Sequence, residues 1–183
     1  MSARPHHGLC RRAFGGAALA LLCLSISASG PTRLEAQDLA GLPPVLQALS
    51  GDWEGSGTLF GNPAAFRMSW TPLDDGFVRL AFTNMLIQGG DTVAVLTAEA
   101  TYRVEGDAAL GVWIDDRPQQ LTLSAVVGDS SVVTDWTAPA ETGRTEYVVT
   151  SPTEVVVRDY VMSNGAPRLF AEGRYVRAGP GGR

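Results

Sequence analysis

The sequence predicts an all-β protein: a single closed, antiparallel, up-and-down β-barrel of about ten strands, preceded by a short N-terminal helix. From residue 51 to residue 177, runs rich in Val, Thr, Tyr, Phe and Trp alternate with short clusters of Gly, Asp, Asn and Pro. The connections are too short for crossover helices, so sequential strands pair antiparallel as a meander. Because an open meander leaves two exposed edges, closure into a barrel is favoured over a sandwich.

The segment before the predicted barrel has the features of a signal peptide. Residues 1–12 are basic, and residues 13–28 form an apolar stretch rich in Ala, Leu and Gly. This stretch is too short and too weakly apolar to predict a membrane span. We expect cleavage between residues 28 and 37, which assigns residues 1–36 to the leader and makes the mature protein periplasmic or extracellular. The general secretory route is favoured, and Arg11-Arg12 leaves the twin-arginine route open.

The residues that remain after cleavage exclude many reaction classes. His6, His7, Cys10 and Cys23 are the only histidines and cysteines, and the chain has no lysine. A mature chain of this composition has no catalytic triad with histidine, no cysteine nucleophile, no disulfide, no lysine Schiff base and no zinc site of the usual type. Ten arginines stand against eighteen acidic residues, and the resulting net charge of −8 disfavours nucleic acid as a partner.

The elements follow in order along the chain. Residues 38–49 predict a short helix in which Val45, Leu46 and Leu49 share one side, with Pro43-Pro44 in its first turn. Turns rich in Gly, Asp and Asn separate the predicted strands. The strands cover residues 52–60, 64–71, 77–87, 92–104, 108–114, 119–127, 131–137, 144–150, 154–162 and 168–176. The chain thus divides into leader (1–36), linker and helix (37–50), barrel (51–177) and flexible tail (178–183).

The start of the first strand carries the clearest motif, LSGDWEGSG over residues 49–57. Its Gly51-x-Trp53 resembles the opening signature of the lipocalin and calycin group, and the longer pattern resembles nitrobindin and related bacterial lipocalin-like domains. Residues 102–103, 111–115 and 173–177 resemble the same families, so the likeness covers roughly residues 48–177. It implies that Trp53 plugs the closed end of the barrel, covered by an arginine of the last strand, for which we assign Arg174 with Arg177 as the alternative.

The resemblance also implies an activity that this sequence does not support. Nitrobindin binds haem through a histidine, and none follows the leader here. Tyrosine can ligate haem, but no spacing singles out one of the four tyrosines. We therefore expect no cofactor and no metal.

A barrel of eight to ten strands encloses room for side chains and one small ligand. We predict a mostly apolar cavity for a small hydrophobic or amphipathic molecule, with a few polar groups, although alternation alone does not fix which strand face points inward. The resemblance to calycins implies that an arginine and a tyrosine can hold a ligand carboxylate. The candidate ligand-binding residues are Phe66, Met68, Trp70, Arg79, Phe82, Leu96, Tyr102, Trp113, Arg158 and Tyr160.

Two other functions stay open at this point. One is a packed barrel that binds a protein or wall component through an exposed patch of Trp70, Trp113 or Trp136. The other is an enzyme that uses carboxylates and tyrosines in the cavity, which requires a buried Glu99 or Asp159 with a raised pKa. The adjacent acids at 74–75 and 115–116 lie in turns, where local turn chemistry explains them, so we assign no catalytic residue.

Overall fold

The computed structural model describes residues 41–117 and 119–179. In these residues ten strands form a closed antiparallel barrel after one short helix, which confirms the predicted fold class. Observed strands begin and end within two residues of the predicted ones. The elements are α1 (Pro44–Leu49), β1 (Gly51–Leu59), β2 (Asn62–Pro72), a 3-10 turn (Asp74–Gly76), β3 (Phe77–Gln88), β4 (Asp91–Glu105), β5 (Ala108–Asp115), β6 (Gln120–Val127), β7 (Ser131–Thr137), β8 (Thr142–Ser151), β9 (Glu154–Ser163) and β10 (Ala166–Arg177).

The leader predicted for residues 1–36 lies outside the described residues, as do residues 37–40 and 180–183. The helix is shorter at its start than the sequence predicts, because it begins at Pro44. Pro43 precedes it with φ −52° and ψ 146°, an extended conformation that the following proline imposes. None of the described helices is long and apolar enough to cross a membrane.

Each strand pairs with its neighbours in the sequence, and β1 closes the ring by pairing with β10. Along this seam Trp53 lies opposite Arg177 and Leu59 lies opposite Ala171. The pairing of β9 with β10 shifts between Leu169 and Ala171. An extra residue at such a bulge changes which side chains point inward. Phe170 consequently reaches the interior at this point.

The helix closes one end of the barrel. Val45, Leu46 and Leu49 are all buried against the barrel interior, and the Trp53 indole N–H donates a hydrogen bond of 2.7 Å to the Leu49 carbonyl oxygen. Trp53 itself is 1% exposed, so it occupies the end of the barrel as the motif predicts. This end excludes water because the apolar side of the helix and the indole ring cover it.

The arginine that covers Trp53 is Arg177, which corrects our assignment of Arg174. The Arg177 guanidinium carbon lies 4.3 Å from the centre of the Trp53 ring, and the same group donates hydrogen bonds of 2.7 Å to the carbonyl oxygens of Ala48 and Ser50. Arg174 has the opposite strand parity and points outward, where it forms an ion pair with a glutamate of β9.

Gly51 makes this arrangement possible. Its φ of +115° lies in the region that favours glycine, and a Cβ atom there would stand 2.7 Å from a guanidinium nitrogen of Arg177. The motif glycine therefore both turns the chain from helix to strand and leaves space for the arginine.

Candidate functional site

The barrel contains a cavity of about 370 Å³. It reaches the end opposite the helix, since exposed residues such as Phe60, Arg117 and Glu141 are among those that line it. This end carries the hairpin turns that join β1 to β2, β3 to β4, β5 to β6, β7 to β8 and β9 to β10. We call it the mouth.

The walls of the cavity are mainly apolar. Phe82 and Trp113 contact each other with ring centres 5.9 Å apart, and leucines from β4 and β6 extend the same surface. The apolar lining residues are Leu59, Phe60, Phe82, Leu86, Val95, Leu96, Trp113, Leu121, Leu123, Trp136, Val161 and Phe170. Such walls favour a ligand with a large apolar body.

Three aromatic rings form the floor. Trp70 stacks on Tyr102 with ring centres 5.9 Å apart and meets the Tyr147 ring edge-on at 5.1 Å. Both tyrosines line the cavity, whereas Trp70 lies beneath them. The small gap around Trp70 has no room for a water molecule, so the cavity ends at the tyrosines.

A polar strip crosses the wall formed by β7, β8 and β9. Thr134 lies opposite Thr145, and Thr145 lies opposite Asp159, so the three side chains are neighbours on adjacent strands. The Thr145 hydroxyl donates a hydrogen bond of 2.6 Å to Asp159 Oδ1, and the hydroxyls of Tyr102 and Thr134 are 3.4 Å apart. These groups give an otherwise apolar interior one polar side.

Burial shifts the pKa values of the ionisable groups in this strip. Loss of solvent raises the pKa of Asp159 to about 6, although the hydrogen bond from Thr145 opposes the shift. Burial likewise raises the pKa of Tyr102 to about 12 and that of Tyr147 well above its usual value. At pH 7.5 Asp159 therefore carries a negative charge, whereas the phenol groups of Tyr102 and Tyr147 are neutral.

Asn84 stands on the other side of the cavity, on β3. Its side chain is 6% exposed, and its Oδ1 has no hydrogen-bond partner among the described residues. A buried carbonyl oxygen without a donor is costly and uncommon. Because Asn84 lines the cavity, a molecule inside can supply the missing donor.

At the mouth, Asp115 has a structural role. Its carboxylate accepts hydrogen bonds from the Trp113 indole, at 3.2 Å, and from the Arg117 guanidinium, at 2.6 Å for the shorter bond. Burial alone would raise the pKa of Asp115, but the bonds from Arg117 and Trp113 outweigh burial and lower it. Asp116 accepts a hydrogen bond of 3.0 Å from the Thr97 backbone N–H. Both acids thus stabilise the turn after β5, as expected for turn residues.

Of the ten predicted ligand-binding residues, four line the cavity: Phe82, Leu96, Tyr102 and Trp113. Three others, Phe66, Met68 and Trp70, face inward but belong to the packed core and are not part of the cavity lining. The remaining three lie on the outer face of the barrel: Arg79 is exposed on β3, Arg158 pairs with Glu172 at 2.7 Å, and Tyr160 shares the outward parity of Arg158.

The outward orientation of Arg158 and Tyr160 corrects the prediction that both residues bind the ligand, and its cause lies in the sequence of β9. Residues 155–157 are three consecutive valines, so the apolar pattern of β9 does not indicate its parity. The structure places Val155, Val157 and Asp159 on the inner face.

The sequence reasoning also missed Asn84, Thr134 and Thr145 as cavity residues. Asn84 and Thr134 occupy inward positions between apolar residues of β3 and β7, and Thr145 lies between Gly143 and Tyr147 on the inner face of β8. The sequence signal for Asn84 and Thr134 is a polar residue at a position where the strand pattern otherwise has apolar residues.

The surface interaction module requires an exposed tryptophan patch on a packed barrel, and the enzyme requires a buried carboxylate with a raised pKa. Trp70 is buried, and Trp113 and Trp136 line the cavity, so the three tryptophans do not form an outer patch, and the barrel is not fully packed. Glu99 is exposed on the outer face, whereas Asp159 lies inside with a raised pKa. In the part of the chain that the structure describes, no three acidic, histidine or cysteine side chains come together as metal ligands.

No protein-family model matches the chain, and no curated protein matches it. Among solved structures the chain is similar to Rv2717c from M. tuberculosis, with 15% identity over 75% of this chain and 99% of that chain and a TM-score of 0.55. It is also similar to two redesigned β-barrels: b11L5F_LGL, with 13% identity over 75% of this chain and 98% of that chain (TM-score 0.45), and mFAP1 bound to DFHBI, with 14% identity over 73% and 98% (TM-score 0.43). At these identities the likeness concerns the fold alone, and it agrees with a closed β-barrel.

Proposed function

We propose that this protein binds one small, largely apolar molecule with a polar group inside the barrel. The observation that carries the proposal is the cavity of about 370 Å³, which lies in the size range of small-molecule sites and has apolar walls with a few polar groups. A core whose only purpose was stability would pack to high density, because unfilled space forfeits contacts. The aromatic floor and the closed end support a site with a single entrance.

A fluorescent probe tests this proposal. N-phenyl-1-naphthylamine is neutral and apolar, and its emission rises in a dry site, so we expect saturable binding of one molecule per barrel. The variant Leu123→Trp places a larger ring in the cavity wall and should weaken binding by at least about tenfold. Leu110→Trp is the matched control, since Leu110 is 67% exposed on the outer face. Equal binding by both variants, or no saturable binding by the wild type, would contradict the proposal.

We also propose that the barrel is exported and lipocalin-like. The basic and apolar leader of residues 1–36 supports export, and the Gly51-x-Trp53 motif with an arginine over the indole supports the lipocalin-like relationship. N-terminal sequencing of the protein from the cell envelope tests export: the first residue should fall between 29 and 38. A protein that keeps its first residues in the cytoplasm would contradict it.

Acid–base catalysis in the same cavity is a second candidate, which Asp159 favours. It is a carboxyl group with a pKa of about 6 next to hydroxyl groups, and a catalytic acid or base works best with a pKa near the working pH. Mass spectrometry of molecules extracted from the cavity, before and after incubation with fresh protein, tests this candidate. Conversion by the wild type and none by Asp159→Asn would support catalysis, whereas recovery of the unchanged molecule would support binding alone.

A further inference from the structure

The polar atoms that the interior offers to a ligand include two acceptors that are not fully used. A carboxylate can accept about four hydrogen bonds, and one from Thr145 reaches Asp159. On the other side of the cavity, the Asn84 Oδ1 accepts none from the described residues. A ligand that fits this interior therefore supplies hydrogen-bond donors.

The charge inside the barrel points in the same direction. Asp159 is the carboxyl group of the polar strip, and the described basic residues that line the cavity, Arg117 and Arg168, both lie at the mouth. Arg117 is already bound to Asp115 by three hydrogen bonds. A carboxylate away from bulk water is stabilised by a cation, and the inner part of the cavity, as far as the described residues line it, does not provide one.

The aromatic rings that line the cavity also suit a cation. Tyr102 and Tyr147 form the floor, and Phe82 and Trp113 form part of the wall. Aromatic rings attract ammonium groups through their negative faces, most strongly where water is excluded. The combination of one carboxylate, an unpaired amide oxygen and aromatic walls is typical of a site for an amine.

We propose that the ligand is a cationic amphiphile, an apolar body that carries a protonated primary amine. Asp159 pairs with the ammonium group above the floor of Tyr102 and Tyr147, and Asn84 accepts a hydrogen bond from a second donor on the ligand. The apolar body fills the space toward the mouth. This inference rests on the proposed binding function and specifies the chemistry of its ligand.

Binding of an amine should depend on pH because Asp159 must be ionised. The ionisable groups that face it are Tyr102 on β4, Tyr147 on β8 and Tyr175 on β10, all with a pKa raised by burial and therefore neutral up to pH 9. The charged groups farther out, at the mouth, are Arg117, Glu141 and Arg168. With a pKa of about 6 for Asp159, affinity should fall about tenfold from pH 7.5 to pH 5.

Three probes that share one apolar body test the proposal: 1-naphthylmethylamine, 1-naphthalenemethanol and 1-naphthoate, measured by isothermal titration calorimetry at pH 7.5. We expect the amine to bind at least about tenfold more tightly than the alcohol, and the carboxylate to bind most weakly. In Asp159→Asn the amine should lose this advantage and its pH dependence, while the affinity of the alcohol changes less than about twofold. Asn84→Leu should change the affinity of the amine by less than about twofold, because the single polar group of this probe pairs with Asp159 on the other side of the cavity.

The outcomes separate this inference from the proposed function. Equal affinity for amine and alcohol, unaltered in Asp159→Asn, would overturn the inference and leave a neutral ligand in the same cavity. Tightest binding of the carboxylate, lost in Arg168→Ala, would overturn it in favour of an anion held at the mouth. Failure of all three probes to bind, the alcohol included, would count against the binding function itself.

Discussion

The substitution Asp159→Asn should stabilise the protein at neutral pH, although it removes a residue of the proposed site. The pKa of this carboxyl is about 6 in the folded protein and 3.8 in a free side chain. Between these values the folded state retains a proton that the unfolded state has lost. Unfolding therefore releases a proton, and each rise in pH through this window lowers the free energy of unfolding.

The size of the effect follows from the same two pKa values. Their difference corresponds to about 3 kcal/mol in the free energy of unfolding, and the wild type loses this stability progressively between about pH 4 and pH 6. The asparagine side chain of the variant does not ionise, and its amide oxygen can still accept a hydrogen bond from the Thr145 hydroxyl. The variant should therefore gain stability over the wild type as pH rises, by up to about 3 kcal/mol at pH 7.5.

Urea denaturation at pH 4.5, 5.5, 6.5 and 7.5, followed by tryptophan fluorescence, measures the difference between the two proteins. The pKa of Asp115 is lowered rather than raised, but Asp115 is present in both proteins and its effect cancels in the comparison. Asp129→Asn, in an exposed turn, controls for the loss of one carboxyl group. A stability difference between wild type and Asp159→Asn that stays constant with pH, or that shrinks as pH rises, would show that Asp159 does not keep its proton in the folded state.

Two further substitutions test the closed end and the packing of the wall. Arg177→Ala removes three hydrogen bonds and a cation–π contact, so thermal denaturation should show a loss of about 2–3 kcal/mol, whereas Arg174→Ala, in an exposed ion pair, should cost less. Gly143→Ala would push a Cβ atom into the Trp136 ring and should cost about 1–3 kcal/mol, while Gly128→Ala meets ordinary contacts and should cost little. Equal losses of stability in the two arginine variants would contradict the role of Arg177 at the closed end. Equal losses in the two glycine variants would contradict the steric conflict at Gly143.

The strands were predictable because the signals that define them are local. Alternating β-formers and turn residues mark each strand and each hairpin, and short links leave antiparallel pairing as the one available arrangement. Closure followed from the cost of open edges, and β1 does pair with β10. The start of the helix was predicted too early. Pro44 disfavours a helical conformation of Pro43, so the helix begins at Pro44.

The site was harder to predict because it depends on strand parity and on distances across the barrel. The inner face of β3 was readable from Val78, Leu80 and Phe82, and it already placed Arg79 outside. In β9 the three consecutive valines do not show which residues point inward. The sequence therefore did not reveal that Asp159 faces the interior and that its neighbour Arg158 faces outward. No local pattern shows which inward residues pack together, as Phe66 does, and which border a cavity, as Leu96 does.

The proposed function requires a small molecule in the cavity of the barrel. Native mass spectrometry of the mature protein, isolated from its own cells under mild conditions, detects such a molecule whatever its identity. Leu123→Trp and Leu110→Trp are prepared in the same way. We expect an added mass of one small molecule on the wild type and on Leu110→Trp, lost on denaturation and absent from Leu123→Trp. The mass of the bare polypeptide in all three proteins, or an added mass that Leu123→Trp retains, would contradict it.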